Sequence, residues 1–194
     1  MKIFNTYIDL KSFFFRSPNP IDDDFGNFMV CGYMGTGKTY FAIYYLEKFV
    51  KDKIIYTNIR SYKNTSKNIR YFDKPDEIIN IREKNAVFVI DECSQFWSKD
   101  SKIDKPFYQW SQYARKDKRC TILIYQEYYN VPPWLRGIYI NVYSTNKMRF
   151  LPLFKTTRGF AILDETTFEW TIEPQKTYIY KRNKCITDRY DTFG

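Results

Sequence analysis

The sequence GYMGTGKT, at residues 32–39, determines the fold class of the chain. It matches the phosphate-loop pattern Gly-x-x-x-x-Gly-Lys-[Ser/Thr], in which backbone N–H groups surround a phosphate. The apolar run FMVC (28–31) before it predicts a buried strand. After it, residues at helical spacing predict one apolar helix face: Ala42, Tyr45, Leu46 and Phe49. Because the pattern requires a strand before it and a helix after it, the segment predicts a nucleotide site.

The loop contains the groups that binding of a triphosphate needs. Gly35 and Gly37 allow the backbone to curl so that several N–H groups point at one anion, and the start of the following helix adds its positive end. Lys38 would reach the outer phosphates, and the Thr39 hydroxyl would bind Mg²⁺. The residues expected to contact the nucleotide, ATP, are Gly32, Gly35, Thr36, Gly37, Lys38, Thr39 and Tyr40. The plainer alternative is a Gly-rich turn that carries a surface lysine.

Two acids follow a second apolar run, AVFVIDE (86–92). Ligands of parallel sheets bind at the carboxyl ends of the strands, so Asp91 is predicted to be the carboxylate on the Mg²⁺ side. Glu92 is predicted to orient or deprotonate the attacking water. Paired acids after an apolar strand are typical of motors that hydrolyse nucleoside triphosphates. The alternative is a strand that ends in two solvated acids.

A glutamine and two arginines complete the predicted catalytic set. Gln126 ends the apolar run CTILIYQ (120–126), where its amide would touch both the γ-phosphate and the water. Charge that develops on the γ-phosphate is often neutralised by an arginine of a neighbouring subunit. Arg115 and Arg136 are the candidates for this role in a ring. For Gln126 the alternative is a strand cap, and for each arginine it is an ordinary surface residue.

Strands alternate with helices through residue 145, which predicts an α/β P-loop NTPase with a doubly wound, mainly parallel sheet. The predicted strands are 28–31, 53–59, 86–92, 120–126 and 139–145, and the predicted helices after the P-loop helix are 75–84, 105–118 and 131–137. The tail predicts a small β appendage on the sheet edge, with strands at 158–165, 167–173 and 176–182. We therefore expect an N-terminal segment and loop (1–26), an ATPase core (27–147) and a β-rich extension of the same domain (148–194).

The chain has 194 residues, a net charge of +9 and an isoelectric point near 9.2. A surplus of this size suggests a polyanionic partner, either nucleic acid or an anionic membrane surface. On charge alone, a merely basic soluble protein is an equal alternative. Two basic segments, at 61–70 and 114–119, are predicted to be loops that would track a phosphate backbone in a ring. The equal alternative for each is an ordinary solvated basic loop. The four cysteines form no Cys-x-x-Cys pair, so we expect reduced core residues. No apolar run of about 18 residues predicts a membrane span.

Six short motifs, in this order, resemble one family: GYMGTGKT, IIYTNI, VFVIDECSQFW, ARKDKRCTILIYQ, VPPWLRG and DRYDT. Together they look like the zonular occludens toxin-like family, the assembly ATPases of filamentous phages, within the wider group of FtsK/HerA-like DNA motors. The resemblance covers roughly residues 27 to 192. It implies an ATPase that uses ATP and Mg²⁺, with Lys38 and Thr39 at the nucleotide, Asp91 and Glu92 as the hydrolytic pair, and Gln126 as the sensor.

The resemblance also implies a cellular setting. It predicts a homo-oligomeric ring that drives virion extrusion, with DNA and phage structural proteins as partners, in the host cytoplasm or at the cytoplasmic face of the inner membrane. Members of the family usually carry a transmembrane helix after the ATPase domain, and this chain ends without one. We therefore expect a cytosolic portion, a peripheral association with the membrane through a separate anchor protein, or a soluble relative such as a genome-packaging ATPase of a double-stranded DNA virus.

Two other classes remain open. Thymidine kinases pair a P-loop with an Asp-Glu-x-Gln-Phe-Phe strand end, and DECSQFW (91–97) is similar, although its spacing differs by one residue. The zinc-binding cysteine pairs of those kinases are missing, and no lid of clustered arginines stands out. A scaffold that uses ATP only to control assembly is the second alternative, although the set of Lys38, Thr39, Asp91 and Glu92 favours hydrolysis.

Overall fold

A computed structural model of the chain describes residues 7–8, 21, 25–148, 151 and 153–190. Within these residues the strands are β1 (Tyr7–Ile8), β2 (Gly26–Cys31), β3 (Ile54–Thr57), β4 (Asn68–Tyr71), β5 (Ala86–Ile90), β6 (Cys120–Tyr125), β7 (Asn141–Lys147), β8 (Leu153–Leu163) and β9 (Trp170–Lys181). The helices are α1 (Lys38–Lys48), α2 (Pro75–Ile78), α3 (Lys105–Gln112), α4 (Pro133–Arg136) and α5 (Lys184–Thr187). Two 3₁₀ turns lie at Cys93–Gln95 and Tyr128–Asn130.

The strands form one sheet in the order β1-β9-β8-β7-β2-β6-β5-β3-β4. Strand β2, which leads into the P-loop, lies between β6 and β7 and is parallel to both. Strands β5, β3 and β4 continue the parallel arrangement on the β6 side. The carboxyl ends of β2, β5 and β6 therefore meet at one edge of the sheet, where parallel sheets bind ligands.

Apolar layers cover both faces of the sheet. Phe28 and Val30 pack in the layer that contains α1, whereas Met29 and Cys31 pack in the layer that contains α3. Side chains that alternate between two buried layers explain why β5 is apolar throughout and why β2 and β6 are mainly apolar. The arrangement confirms the doubly wound α/β fold predicted from the sequence.

Strands β8 and β9 extend the main sheet. Strand β8 pairs antiparallel with β7, and β9 pairs antiparallel with β8, so β9 runs parallel to β2. The tail contains two long strands rather than the three predicted, because β9 continues through Pro174. The register shifts by one residue between Arg158 and Gly159, opposite this proline. A proline fits at such a bulge because the ladder needs no N–H there.

Three other predicted elements differ in length. Residues 68–70 of the predicted loop belong to edge strand β4, where Arg70 binds the Tyr56 hydroxyl at 2.8 Å and the Glu83 carboxylate at 2.7 Å. The helix predicted at 75–84 ends at Ile78. The helix predicted at 105–118 ends at Gln112, because the chain turns to bring Arg119 into the core.

No helix among the described residues is long and apolar enough to cross a membrane. The cysteines are free, and three of them are buried: Cys31, Cys93 and Cys120. Cys185 is exposed, so the prediction of four core cysteines is wrong for this residue. Most of the predicted N-terminal segment (1–26), and the last two residues of the DRYDT motif, lie outside the described residues.

Candidate nucleotide site

The P-loop connects β2 to α1 and bends through two left-handed residues, Gly35 (φ 75°) and Gly37 (φ 91°). L-amino acids avoid this backbone region, and glycine adopts it freely. The two glycines differ in how much space a side chain would have. A Cβ atom on Gly35 would meet nothing within 4 Å, whereas a Cβ on Gly37 would overlap the ring of Phe154 from β8. The loop therefore packs against the C-terminal extension at its helix end.

Hydrogen bonds hold the loop to both neighbouring strands. The Gly32 N–H donates to the Gln126 carbonyl at 3.0 Å, beyond the end of β6. The Thr36 hydroxyl lies 2.7 Å from the Tyr33 carbonyl and 3.2 Å from the hydroxyl of Thr145 on β7, which is buried. The Thr36 side chain thus shapes the loop.

Lys38 begins α1 and is 92% shielded from solvent, with 8% of its surface exposed. Its ammonium donates to the Tyr33 carbonyl at 3.1 Å. This bond holds the ammonium against the loop, and Lys38 lines the same cleft as Gly35 and Gly37. A positive charge in that position suits the outer phosphates of a triphosphate.

Thr39 and Asp91 come together as predicted, with the Thr39 hydroxyl donating to Asp91 Oδ2 at 2.8 Å. The backbone of Asp91 is held by Asn58 at the end of β3, whose amide accepts from the Asp91 N–H at 2.7 Å and donates to its carbonyl at 2.9 Å. Burial raises the pKa of the Asp91 carboxyl, and the Thr39 hydrogen bond opposes the rise. A hydroxyl beside a carboxylate is an oxygen pair suited to Mg²⁺, so these two residues fit the ion that the family implies.

Glu92 turns sharply away from β5, with a left-handed backbone (φ 52°). Its N–H donates to Asp91 Oδ1 at 2.8 Å, and its exposed carboxylate accepts from the Gln126 amide at 3.4 Å. The predicted general base and the predicted sensor are therefore side by side at the sheet edge. A carboxylate and an amide in this arrangement can hold one water between them.

Many of these residues line a cleft of about 600 Å³, although Gly32, Thr36 and Asp91 are not part of its lining. The predicted residues that line it are Gly35, Gly37, Lys38, Thr39, Tyr40, Glu92 and Gln126. Residues that sequence reasoning did not select also line it: Met34, Lys147, Phe154, Arg182, Thr187 and Tyr190. Tyr40 was predicted to contact nucleotide, but its ring stacks on Phe154 at 4.7 Å and its hydroxyl accepts from the Asn183 N–H at 2.8 Å.

The two predicted arginines lie elsewhere. Arg136 is buried, and its guanidinium donates to the Val131 carbonyl at 2.9 Å and to the Tyr129 carbonyl at 2.8 Å. These bonds indicate that Arg136 stabilises the segment after β6, and they leave its guanidinium poorly placed to reach a neighbouring subunit. Arg115 lies beside Gly26, at the opposite end of β2 from the P-loop. A role for either one at a neighbour's nucleotide stays a prediction.

Several cations of the two basic segments contact the protein itself. In the first, Arg70 pairs with Glu83, and the Lys67 ammonium donates to the Val50 carbonyl. In the second, Arg119 is buried, donates to the Trp110 carbonyl at 2.7 Å and pairs with Asp117 at 3.0 Å. The positive charge of these segments therefore partly serves folding, and their contact with DNA stays a prediction.

Of the residues that sequence reasoning missed, Asn58 had a usable signal. It falls near the carboxyl end of the predicted strand 53–59, just as Gln126 falls at the end of the predicted strand 120–126. Phe154 and Arg182 had none, because their approach to the P-loop depends on how β8 pairs with β7 and how β9 pairs with β8.

Comparison with known proteins identifies the family. The family model of zonular occludens toxin (Zot) matches residues 27–181, most of the chain. The chain belongs to the Zot family. This confirms the resemblance predicted from the motifs. No curated protein sequence matches the chain.

Solved structures share the Zot fold of this chain. The N-terminal domain of zonular occludens toxin from Neisseria meningitidis superposes with a TM-score of 0.57 at 15% identity, over 86% of this chain and 100% of that one. The genome packaging NTPase B204 from Sulfolobus turreted icosahedral virus 2, solved with ATP-gammaS, gives 0.53 at 12% identity, over 79% of this chain and 99% of that one. At these identities the likeness shows the fold alone, and that fold is the predicted P-loop NTPase.

Proposed function

We propose that this member of the Zot family is an ATPase that drives virion morphogenesis, through virion assembly and export or through DNA movement. One observation carries the proposal. The P-loop threonine Thr39 is hydrogen-bonded to Asp91, and Glu92 and Gln126 meet beside them in the same cleft as Lys38. Membership of the Zot family and the fold shared with a viral packaging NTPase support it.

Each residue has a definite role in this proposal. The P-loop N–H groups and Lys38 bind the phosphates and neutralise their charge. Thr39 and Asp91 would hold Mg²⁺, which supplies charge neutralisation when bound. Glu92 orients the attacking water and accepts its proton, and Gln126 holds both the water and Glu92 in position. Because Gln126 also follows β6, it would transmit the nucleotide state to that strand.

The setting is part of the proposal. We infer a homo-oligomeric ring, because an arginine from a neighbouring subunit would complete the cleft. DNA and phage structural proteins are the proposed partners, and the net charge of +9 supports a polyanionic one. The proposed location is the host cytoplasm or the cytoplasmic face of the inner membrane, with association through a partner protein.

Steady-state ATP hydrolysis tests the proposed coupling to DNA. The purified chain is assayed with no DNA, with single-stranded DNA and with double-stranded DNA, at about 50 and about 200 mM salt. We expect stimulation that weakens at the higher salt, because phosphate contacts release counterions. Preference for a duplex would favour genome packaging over extrusion. Hydrolysis that ignores DNA would contradict a DNA motor, and phosphorylation of thymidine would support the nucleoside-kinase alternative.

Two substitutions test the assigned chemistry. We expect Lys38→Ala to lose ATP binding, because the outer phosphates lose their cation. We expect Glu92→Gln to keep ATP binding and to lower turnover by about 100-fold or more, because the water loses its base. Lys48→Ala and Glu127→Gln are matched controls, since both residues are exposed and lie outside the cleft. Normal turnover by Glu92→Gln would show that another group accepts the proton.

A further inference from the structure

The cleft has a wall that the proposed mechanism does not use. Arg182, Thr187 and Tyr190 line it together with the P-loop residues Lys38 and Thr39. All three come after β9, in the C-terminal part of the chain. Their presence in the nucleotide cleft needs an explanation beyond phosphate binding and hydrolysis.

The topology of the sheet brings this segment to the cleft. Strand β9 runs parallel to β2, so its carboxyl end lies at the sheet edge that carries the P-loop. The segment is then fastened to α1 at two points. The Asn183 N–H donates to the Tyr40 hydroxyl at 2.8 Å, and the Arg189 guanidinium pairs with Glu47 at 2.6 Å. The Arg189 carbonyl also accepts from the Lys63 N–H at 2.9 Å. The wall is therefore built into the fold.

The position of the wall along the cleft indicates which part of a nucleotide it faces. Glu92, Gln126 and the Lys38 ammonium mark the end where the γ-phosphate is cleaved. Tyr40, in the first turn of α1, comes after the residues assigned to the outer phosphates and Mg²⁺, and we place the end where the phosphate chain meets the ribose there. Arg182 precedes Asn183, which is bonded to Tyr40, so the C-terminal wall lies at this second end.

The chemistry of the wall suits a nucleobase. Arg182 is exposed, and within the described part of the chain no acid pairs with it. Its guanidinium is planar and stacks well on an aromatic ring. Tyr190 is buried, with an apolar ring at the edge of the cleft. A planar cation and an apolar ring that line the same cleft are groups that can hold the face of a base.

We propose that Arg182 and Tyr190 form the nucleoside end of the cleft, with the Arg182 guanidinium stacked on the base. The inference rests on the proposed ATPase function and adds the residues that hold the non-phosphate half of the substrate. Its consequence is that the C-terminal extension belongs to the nucleotide site, since it completes a pocket that the P-loop core leaves open.

Binding of two ligands to the full chain tests this. ATP and inorganic tripolyphosphate, each with Mg²⁺, are titrated by calorimetry into the wild type, Arg182→Ala, Arg182→Lys and Lys181→Ala. Tripolyphosphate has the phosphates of ATP and no base. We expect Arg182→Ala to weaken ATP binding about tenfold and to leave tripolyphosphate binding unchanged. Arg182→Lys should resemble Arg182→Ala, because an ammonium keeps the charge and loses the planar face.

Lys181→Ala is the matched control, since Lys181 is an exposed cation one residue away and lies outside the cleft. It should bind both ligands as the wild type does. Equal losses of ATP and tripolyphosphate in Arg182→Ala would overturn the base contact in favour of a phosphate contact. Unchanged ATP binding would overturn the contact altogether. A wild type that binds neither ligand would instead contradict the proposed function.

Discussion

At the scale of single residues, Glu92 combines a candidate catalytic carboxylate with an unfavourable backbone. A left-handed conformation costs a residue with a side chain about 1–2 kcal/mol, and Glu92 adopts it directly after Asp91. The turn points the Glu92 carboxylate toward the Gln126 amide while the Glu92 N–H still binds the Asp91 carboxylate. The strained backbone of Glu92 lets two adjacent acids point in different directions, so that each can take its own role.

Glycine at this position should stabilise the protein and inactivate it. We expect Glu92→Gly to raise the free energy of unfolding by about 1 kcal/mol, because glycine adopts the left-handed conformation without strain. Glu92→Gln should leave it unchanged, since glutamine keeps the strain. Both variants should lose ATP hydrolysis. Chemical denaturation measures the stability, and Lys118→Gly, at another left-handed residue (φ 53°), is the control for a site without catalytic function. A Glu92→Gly variant no more stable than the wild type would show that the turn is unstrained.

The sequence was a good guide to residues that follow buried strands. Asp91, Glu92 and Gln126 were predicted to meet near Lys38 and Thr39, because parallel strands place their carboxyl ends at one edge. Distances across that edge agree with this expectation. Arg136 shows the limit. Its chemistry suited a neighbour's phosphate, but only the folded chain shows that two carbonyls already bind its guanidinium.

At the scale of elements, an aromatic stack joins α1 to the C-terminal extension. Tyr40 of α1 stacks on Phe154 of β8 at 4.7 Å, and Tyr44 of α1 stacks on Tyr180 of β9 at 4.9 Å. The Phe154 ring also covers Gly37, so the extension contacts the P-loop itself. Such stacks stabilise a fold by more than the burial of their apolar area alone would. The extension therefore supports the helix that carries the nucleotide residues.

Alanine at Gly37 should reveal the contact with Phe154. Gly35→Ala introduces strain alone, which costs about 1–2 kcal/mol, whereas Gly37→Ala adds overlap with the Phe154 ring and should cost more. In a double-mutant cycle, Gly37→Ala should cost less in a Phe154→Ala background, because the ring is gone. Denaturant unfolding of the four proteins measures the coupling. If Gly37→Ala lowered the free energy of unfolding equally in both backgrounds, the Phe154 ring would have to move aside for the added methyl group without cost.

Elements were predicted well where apolar runs are long, and less well where contacts with other elements determine the secondary structure. Strands β2, β5 and β6 followed from their runs of apolar residues. Strand β4 was missed, since a polar edge strand with exposed side chains resembles a loop. The merging of two predicted strands into β9 was also missed. Pro174 indicates a break in the sequence, but the bulge opposite it lets the ladder continue.

At the scale of the whole molecule, tyrosine is an unusual component of the core. The chain contains 18 tyrosines, and several are among its largest fully buried side chains, including Tyr62, Tyr125 and Tyr139. Burial raises the pKa of each of these three hydroxyls. Burial also raises the pKa of Tyr190 to about 12. The folded protein therefore holds phenolic protons that the unfolded chain releases near pH 10.

This difference predicts unfolding in base. The stability that the buried tyrosines contribute is fully present below pH about 10, the unfolded value, and is lost as pH rises toward the folded values. For Tyr190 the contribution is lost between pH about 10 and its folded pKa of about 12. We expect unfolding in this range to coincide with a cooperative rise in tyrosinate absorbance. A gradual rise with no loss of structure would show that the core tolerates tyrosinate.

The anchoring of the P-loop constrains how the proposed motor produces movement. Its first residue is tied to the strand on one side, its Thr36 hydroxyl to the strand on the other, and Phe154 lies over its last glycine. A loop held in this way is ordered before its ligand arrives, so little conformational entropy remains to be lost on binding. The same anchors leave the loop little room to move when nucleotide binds. Movement of the proposed motor would then start at contacts held less firmly, such as the one between Glu92 and Gln126 at 3.4 Å.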